Sequence, residues 1–136
     1  MIEFPLTDPL ANAILLAGYA DLGITGIDVA TQMPSPLPEQ FVRLFTLPGR
    51  EASPRTMWCQ VIALVYDTTD DLRCAALARS TGNILRAAPE VLIDGEQWIT
   101  EPCEKHGPFP TRDPDMPDVF RYQVNITWTV QSSVNQ

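Results

Sequence analysis

The clearest alternation of apolar and polar positions lies near the end of the chain. From Phe120 to Val130, every even position is apolar and every odd position is polar. A period of two is that of a β-strand, whose successive side chains point to opposite faces of the sheet. The pattern predicts a strand with one buried face. The polar positions that we expect to face outward are Arg121, Gln123, Asn125, Thr127 and Thr129.

A second strand, Met57–Tyr66, is apolar on both faces, with Gln60 as its one polar side chain. This pattern fits a central strand that is covered on both sides, at least in an assembled state. A helix follows, for which Thr68 is a plausible N-cap and Pro89 a stop signal. Small residues along this helix, Gly82 among them, would let it lie close to a sheet.

The first half of the chain predicts one further helix and two further strands. Thr7 or Asp8 can cap a helix that has Pro9 in its first turn and ends near Gly23. We expect strands over Ile24–Met33 and Gln40–Thr46, separated by a proline-rich crossing segment that cannot sustain a ladder of hydrogen bonds.

The connecting segments are rich in Pro and Gly. Residues 47–55 are predicted to form a polar loop that joins the second strand to the central strand as a long hairpin. Asp94-Gly95 is a turn signal, and a short strand is expected over Gln97–Glu101. Pro102–Asp118 is predicted to be a long loop, which is uncommon unless it serves contacts or is mobile. Ser132–Gln136 is expected to be a frayed tail.

These elements predict an α+β fold, with a mostly antiparallel or mixed β-sheet and two α-helices packed on it. The length of 136 residues suggests a single domain over residues 1–136. No apolar run approaches the roughly 20 residues that a membrane-spanning helix needs. The first residues lack the basic region and apolar core of a signal peptide, so we expect synthesis in the cytoplasm without membrane association.

The charge composition bears on the choice of partners. The net charge of −8 argues against a protein that reads nucleic-acid sequence, because phosphate contacts need basic groups. Eight of the nine basic residues are arginine, which suits bidentate pairs with carboxylates at interfaces. The same bias could equally reflect a GC-rich genome.

No assembled catalytic or metal-binding motif is present in the sequence. Cys103 and the single histidine, His106, fall short of the four ligands that a structural zinc site needs, and Cys59 and Cys74 lie at core-like positions. Asp113, Asp115 and Asp118 form a loose carboxylate cluster that fits a solvated acidic loop better than a calcium loop. We therefore expect free, mostly buried thiols, no catalytic turnover, no cofactor and no metal required for folding.

Four ordered stretches resemble the tail terminator proteins of long-tailed phages, particularly those of actinobacterial hosts. The resemblance covers roughly residues 34–130. The stretches that carry it are Pro38–Leu44 with Pro48-Gly49, the strand Met57–Tyr66 before an Ala-rich helix, Gly107-Pro108 with Pro110 and Asp113-Pro114-Asp115, and Phe120–Val124.

The resemblance implies a small structural subunit of the virion that forms a ring, commonly hexameric, on the end of the tail tube. Such a ring stops tube polymerisation and provides the joining surface for the head. The implied partners are further copies of the chain, the major tail tube protein and a head-closure or connector protein, while DNA only passes through the lumen. The implied location is the tail–head junction.

Two alternatives stay open at this point. One is a head-closure or neck subunit of the head–tail connector. The other, from a different class, is a small ligand-binding or enzymatic domain that uses the segment Pro102–Asp118 as a lid. For a ring, the candidate contact residues with the subunit or tube are Arg43, Arg50, Arg55, Arg121, Gln123 and Asn125, and the segment around Arg50 and Arg55 is expected to reach a neighbour.

Overall fold

The computed structural model describes residues 2–134 and contains a five-stranded mixed sheet with two α-helices packed on it, which confirms the predicted α+β class. Within these residues the elements are β1 Ile2–Glu3, α1 Thr7–Asp21, β2 Asp28–Ala30, β3 Gln40–Ser53, β4 Thr56–Asp67, α2 Asp71–Arg86, a 3₁₀ turn Ala88–Glu90, β5 Ile99–Pro110, β6 Phe120–Gln131 and β7 Ser133–Val134.

The strand order of the main sheet is β2-β3-β4-β6-β5. The strand β4, predicted as central, lies in the middle and pairs antiparallel with β3 and with β6 over its full length. Only the short β2 runs parallel to its neighbour, β3. Two strands therefore form the borders, or edges, of the sheet. One is β5. The other is β3, because β2 covers it only over residues 41–43.

One face of the sheet carries both helices and the main core. The odd positions of β4 are buried on this face, and so are the even positions of β6 from Val124 to Val130, as the alternation in β6 predicts, whereas Phe120 and Tyr122 are half-buried. The helix α2 approaches the sheet closely at Gly82, where an added Cβ would lie 3.0 Å from a methyl group of Val124. The expected role of Gly82 in close helix–sheet packing is thus confirmed.

The hairpin β3–β4 is longer than predicted. The predicted loop at 47–55 is wrong, because β3 continues to Ser53 with two register shifts after Pro48. Pro48 is tolerated here because this part of β3 is a border strand, where no neighbouring strand needs the missing N–H. The N–H of Thr46, two residues earlier, likewise points away from β4 and donates to Asp8 Oδ1 at 2.7 Å.

The segment predicted as a loop over Pro102–Asp118 is also largely a strand. β5 extends to Pro110, and only residues 111–119 remain irregular. Its prolines fit for the same reason, since β5 is a border strand and its pairing with β6 is interrupted by two register shifts. The predicted turn at Asp94-Gly95 is confirmed, with positive φ angles at both residues.

The ends of several elements differ from the sequence expectations. Helix α1 begins at Thr7 without a side-chain cap. The side chain of Asp8 instead accepts the N–H of Thr46 on the outer side of β3. Helix α2 is capped by Asp70, whose side chain accepts the N–H of Arg73, and not by Thr68. β2 has only three residues. In the tail, β7 pairs with β1, and residues 135–136 lie outside the described residues.

A buried carboxylate joins the end of β4 to the start of α2. Asp67 is fully buried and accepts hydrogen bonds from the N–H groups of Thr69 and Asp70 at 2.9 Å. Arg73 donates to both of its oxygens, with Nε 2.7 Å from Oδ2, and also binds Glu39 at 2.7 Å. Burial by itself would raise the pKa of Asp67, but the bonds from Arg73 and the backbone outweigh it and lower that pKa below 3.8.

We predict that Asp67→Asn lowers the free energy of unfolding by about 2–3 kcal/mol, because the substitution leaves Arg73 without its buried partner. A carboxylate with a lowered pKa contributes stability above its unfolded pKa and loses it as the pH falls through its folded pKa. The difference from wild type should therefore be full at pH 7 and shrink below about pH 3.8. Urea unfolding at several pH values measures this.

The matched control is Asp70→Asn, which removes a neighbouring carboxylate but keeps a good N-cap. It should cost only a few tenths of a kcal/mol. Equal losses in the two variants would contradict the central role of Asp67.

Candidate contact surface

The face of the sheet opposite the helices forms a broad open surface, which we call the open face. Residues that pair directly across strands share a face, so the register of the sheet fixes its rows. From one end of the sheet to the other, the rows are Trp58-Thr129-Thr100, Leu47-Gln60-Thr127-Glu104, Phe45-Ile62-Asn125-His106, Arg43-Leu64-Gln123-Phe109 and Phe41-Tyr66-Arg121.

Loops cover one end of the open face. Phe41, Leu64 and Tyr66 are buried there, and the rings of Phe41 and Tyr66 stack with centroids 4.5 Å apart. Met33 from the proline-rich segment and Met116 from the loop 111–119 pack against this small second core. The prediction that both faces of β4 are covered is therefore correct for its C-terminal half within the subunit.

The other end of the open face remains exposed. Trp58 is 42% exposed and Leu47 is 52% exposed. The guanidinium carbon of Arg50 lies 5.1 Å from the centre of the Trp58 ring, a cation–π contact that holds the arginine on the surface. Gly49 permits this arrangement, because a Cβ there would lie 2.8 Å from the carbonyl oxygen of Trp58. A shallow groove of about 280 Å³ runs beside Trp58.

The structure divides the candidate contact residues into two groups. Arg121 is engaged within the subunit: it donates to the carbonyl oxygen of Thr111, lies over the Tyr66 ring and is 3.6 Å from Asp113. Gln123 donates to Asn125 at 2.9 Å, so this pair is also satisfied internally. These three residues stabilise the open face, and they contribute less free hydrogen-bonding capacity than the sequence suggested.

Arg43, Arg50 and Arg55 form the second group. Among the described residues none of the three forms an ion pair. Arg50 and Arg55 are exposed, whereas Arg43 is half-buried and its Nε has no hydrogen-bond partner. Of the polar positions on β6, Thr129 does not face solvent as predicted, because it is buried and donates to the carbonyl oxygen of Pro102.

The residues considered for catalysis are not assembled into a site. Cys103 packs against the helix-side core, whereas His106 lies opposite Asn125 on the open face, so the two side chains leave β5 on different faces. Within residues 2–134, no group of three or more His, Cys, Asp or Glu side chains is placed to hold a metal ion. Asp8, which lines a depression of about 300 Å³ beside β2, already binds Thr46.

Comparison with known proteins adds no family assignment. No protein-family model matches the chain, and no curated protein matches it either. In the part of the chain that the structure describes, no helix has the length and apolar character to cross a membrane.

We predict that Cys59 and Cys74 do not react with a thiol reagent at pH 8 in the folded protein. Burial raises the pKa of Cys59 to about 11 and that of Cys74 to about 12, so both remain protonated as well as inaccessible. Cys103, which is half-buried and whose pKa burial also raises, should react slowly. Absorbance of the released thiolate measures this, with full reaction in guanidinium as the control, and a fast-reacting thiol in the native protein would contradict it.

Proposed function

We propose that the chain is a structural subunit of a phage virion that forms a ring on the end of the tail tube, ends tube growth and provides the surface for head joining. The proposal starts from the resemblance of residues 34–130 to tail terminator proteins. In this role the protein is not an enzyme, needs no cofactor, and acts at the tail–head junction.

The observation that carries the proposal is the combination of an open face with an exposed end of the β3–β4 hairpin. The helix-side core uses the large apolar residues of β6, and at its exposed end the opposite face presents Leu47, Arg50 and Trp58. Tryptophan and arginine are the residues most enriched in the energetically dominant parts of protein interfaces. A surface of this composition suits contact with protein partners better than turnover of a small molecule.

The test is whether the purified protein binds one end of tail tubes isolated from the phage that encodes it. Electron microscopy should find rings at a single end, and added protein should stop elongation in a polymerisation mixture of tube subunits. Infection with a phage mutant that lacks the protein should give tubes of uncontrolled length. Binding to head connectors but not to tubes would favour the head-closure alternative, and binding to neither would refute the proposal.

We also expect little affinity for duplex DNA at about 150 mM salt, since a ring through which DNA passes should not retain phosphates. The net charge of −8 per copy opposes the counterion release that drives binding by basic proteins. Fluorescence anisotropy with a labelled duplex measures the affinity. A sub-micromolar dissociation constant under these conditions would contradict the expectation.

A further inference from the structure

The two borders of the main sheet carry unpaired charges of opposite sign. On the β3 side, which we call the basic border, Arg50 and Arg55 are exposed at the end of the hairpin, with Glu51 between them, and Asp8 lies farther along the same side, where it binds Thr46. On the β5 side, which we call the acidic border, the segment 87–104 contains five exposed carboxylates and is flanked by Arg86 and Lys105. These are Glu90, Asp94, Glu96, Glu101 and Glu104.

The charges of both borders lack partners within the subunit. Among the described residues, neither the two arginines nor the five carboxylates take part in an ion pair. Elsewhere, Asp67 and Glu39 bind Arg73, and Asp113 lies beside Arg121. Other exposed charges, such as Asp21, Asp118 and Arg79, also form no ion pair among the described residues, so what distinguishes the two borders is the opposite sign of their charge.

The two borders lie at the same end of the sheet but on opposite sides. Met57 at the start of β4 is opposite Val130 of β6, which is opposite Ile99 at the start of β5. Three strand spacings separate β3 from β5, a distance of about 14 Å. Each border also has an exposed apolar side chain, Trp58 near the basic border and Leu92, which is 64% exposed, in the acidic segment.

We infer that neighbouring copies of the chain join head to tail, with the basic border of one subunit on the acidic border of the next. This inference rests on the proposed ring and specifies its joint. A symmetric contact between two basic or two acidic borders would bring like charges together, whereas the mixed contact pairs arginine with carboxylate and places apolar groups beside them. Such a heterologous contact repeats around a ring or along an open filament.

The backbone of the basic border also favours a contact with a neighbouring copy of the chain that is made through side chains. Beyond residue 43, no strand within residues 2–134 pairs with the outer side of β3. An unrelated strand would not extend the sheet there in parallel, because the N–H of Thr46 already donates to Asp8 and Pro48 has no N–H. Contact through side chains is therefore favoured there. Arg50 is held in place by the Trp58 ring, so it loses little conformational entropy on binding a carboxylate.

Charge reversal of each border tests the joint. We expect Arg50→Glu with Arg55→Glu, and separately Glu96→Arg with Glu101→Arg, to weaken self-association at least about tenfold. Sedimentation equilibrium and mass photometry measure this in 50 mM salt, and the difference from wild type should shrink at 1 M salt because the charges are screened.

Two rescue measurements are specific to a head-to-tail joint. Mixing the two double variants should restore assembly, because every joint in an alternating ring then brings glutamate together with arginine at the substituted positions, and such rings must contain an even number of subunits. The quadruple variant, in which the charges at all four positions are exchanged, should assemble by itself. Neither rescue is expected if the borders act independently of each other.

The matched control for the arginine variant is Arg79→Glu with Arg112→Glu, which changes the net charge in the same direction and by the same amount at exposed positions outside both borders. It should assemble like wild type. Thermal unfolding should be nearly unchanged in all variants, because exposed charges contribute little to stability.

The outcomes separate this inference from the proposed function. If both double variants form rings as the wild type does, the proposed joint is wrong. A loss of assembly that mixing does not restore would also overturn the joint. Neither outcome contradicts tube termination. A wild-type protein that remains monomeric at about 100 μM, far above the dissociation constants typical of specific assemblies, would also overturn the joint. Tube-capping assays then decide the function separately.

Discussion

The rest of the structure depends on the buried carboxylate of Asp67. It receives the guanidinium of Arg73 and two backbone N–H groups, so a fully desolvated charge is completely satisfied. Through Arg73 it also binds Glu39, which directly precedes β3. One side chain thus sets where the central strand ends, where α2 begins and where β3 enters the sheet.

The two halves of the sheet differ in how their open face is covered. Near Asp67 both faces are covered, because Met33 and Met116 close over Phe41 and Tyr66. At the far end of β4, no loop covers the open face, and Trp58 lies on the surface. Such an arrangement combines a rigid base with an exposed end, and exposed ends of rigid elements are well suited to contact other molecules because they lose little entropy on binding.

The fold class could be predicted from the sequence because the signals in β4, α2 and β6 are strong and local. The border strands could not, since β3 after Pro48 and most of β5 contain prolines and glycines that ordinarily indicate loops. Those residues are tolerated only because one side of each strand is unpaired, which is a property of the sheet order and not of the local sequence. The role of Arg121 could not be predicted for a similar reason. Its partners, Thr111 and Asp113, come from a loop whose path depends on β5.

The border positions also bear on how the sheet avoids indiscriminate pairing with other strands. A border strand with free backbone groups and an apolar surface would pair with any other strand, and proline and charge both prevent this. In this chain the charges differ in sign between the two borders, so they oppose pairing of like borders and favour pairing of unlike ones. Protection against indiscriminate association and selection of a head-to-tail neighbour are then two consequences of one charge distribution.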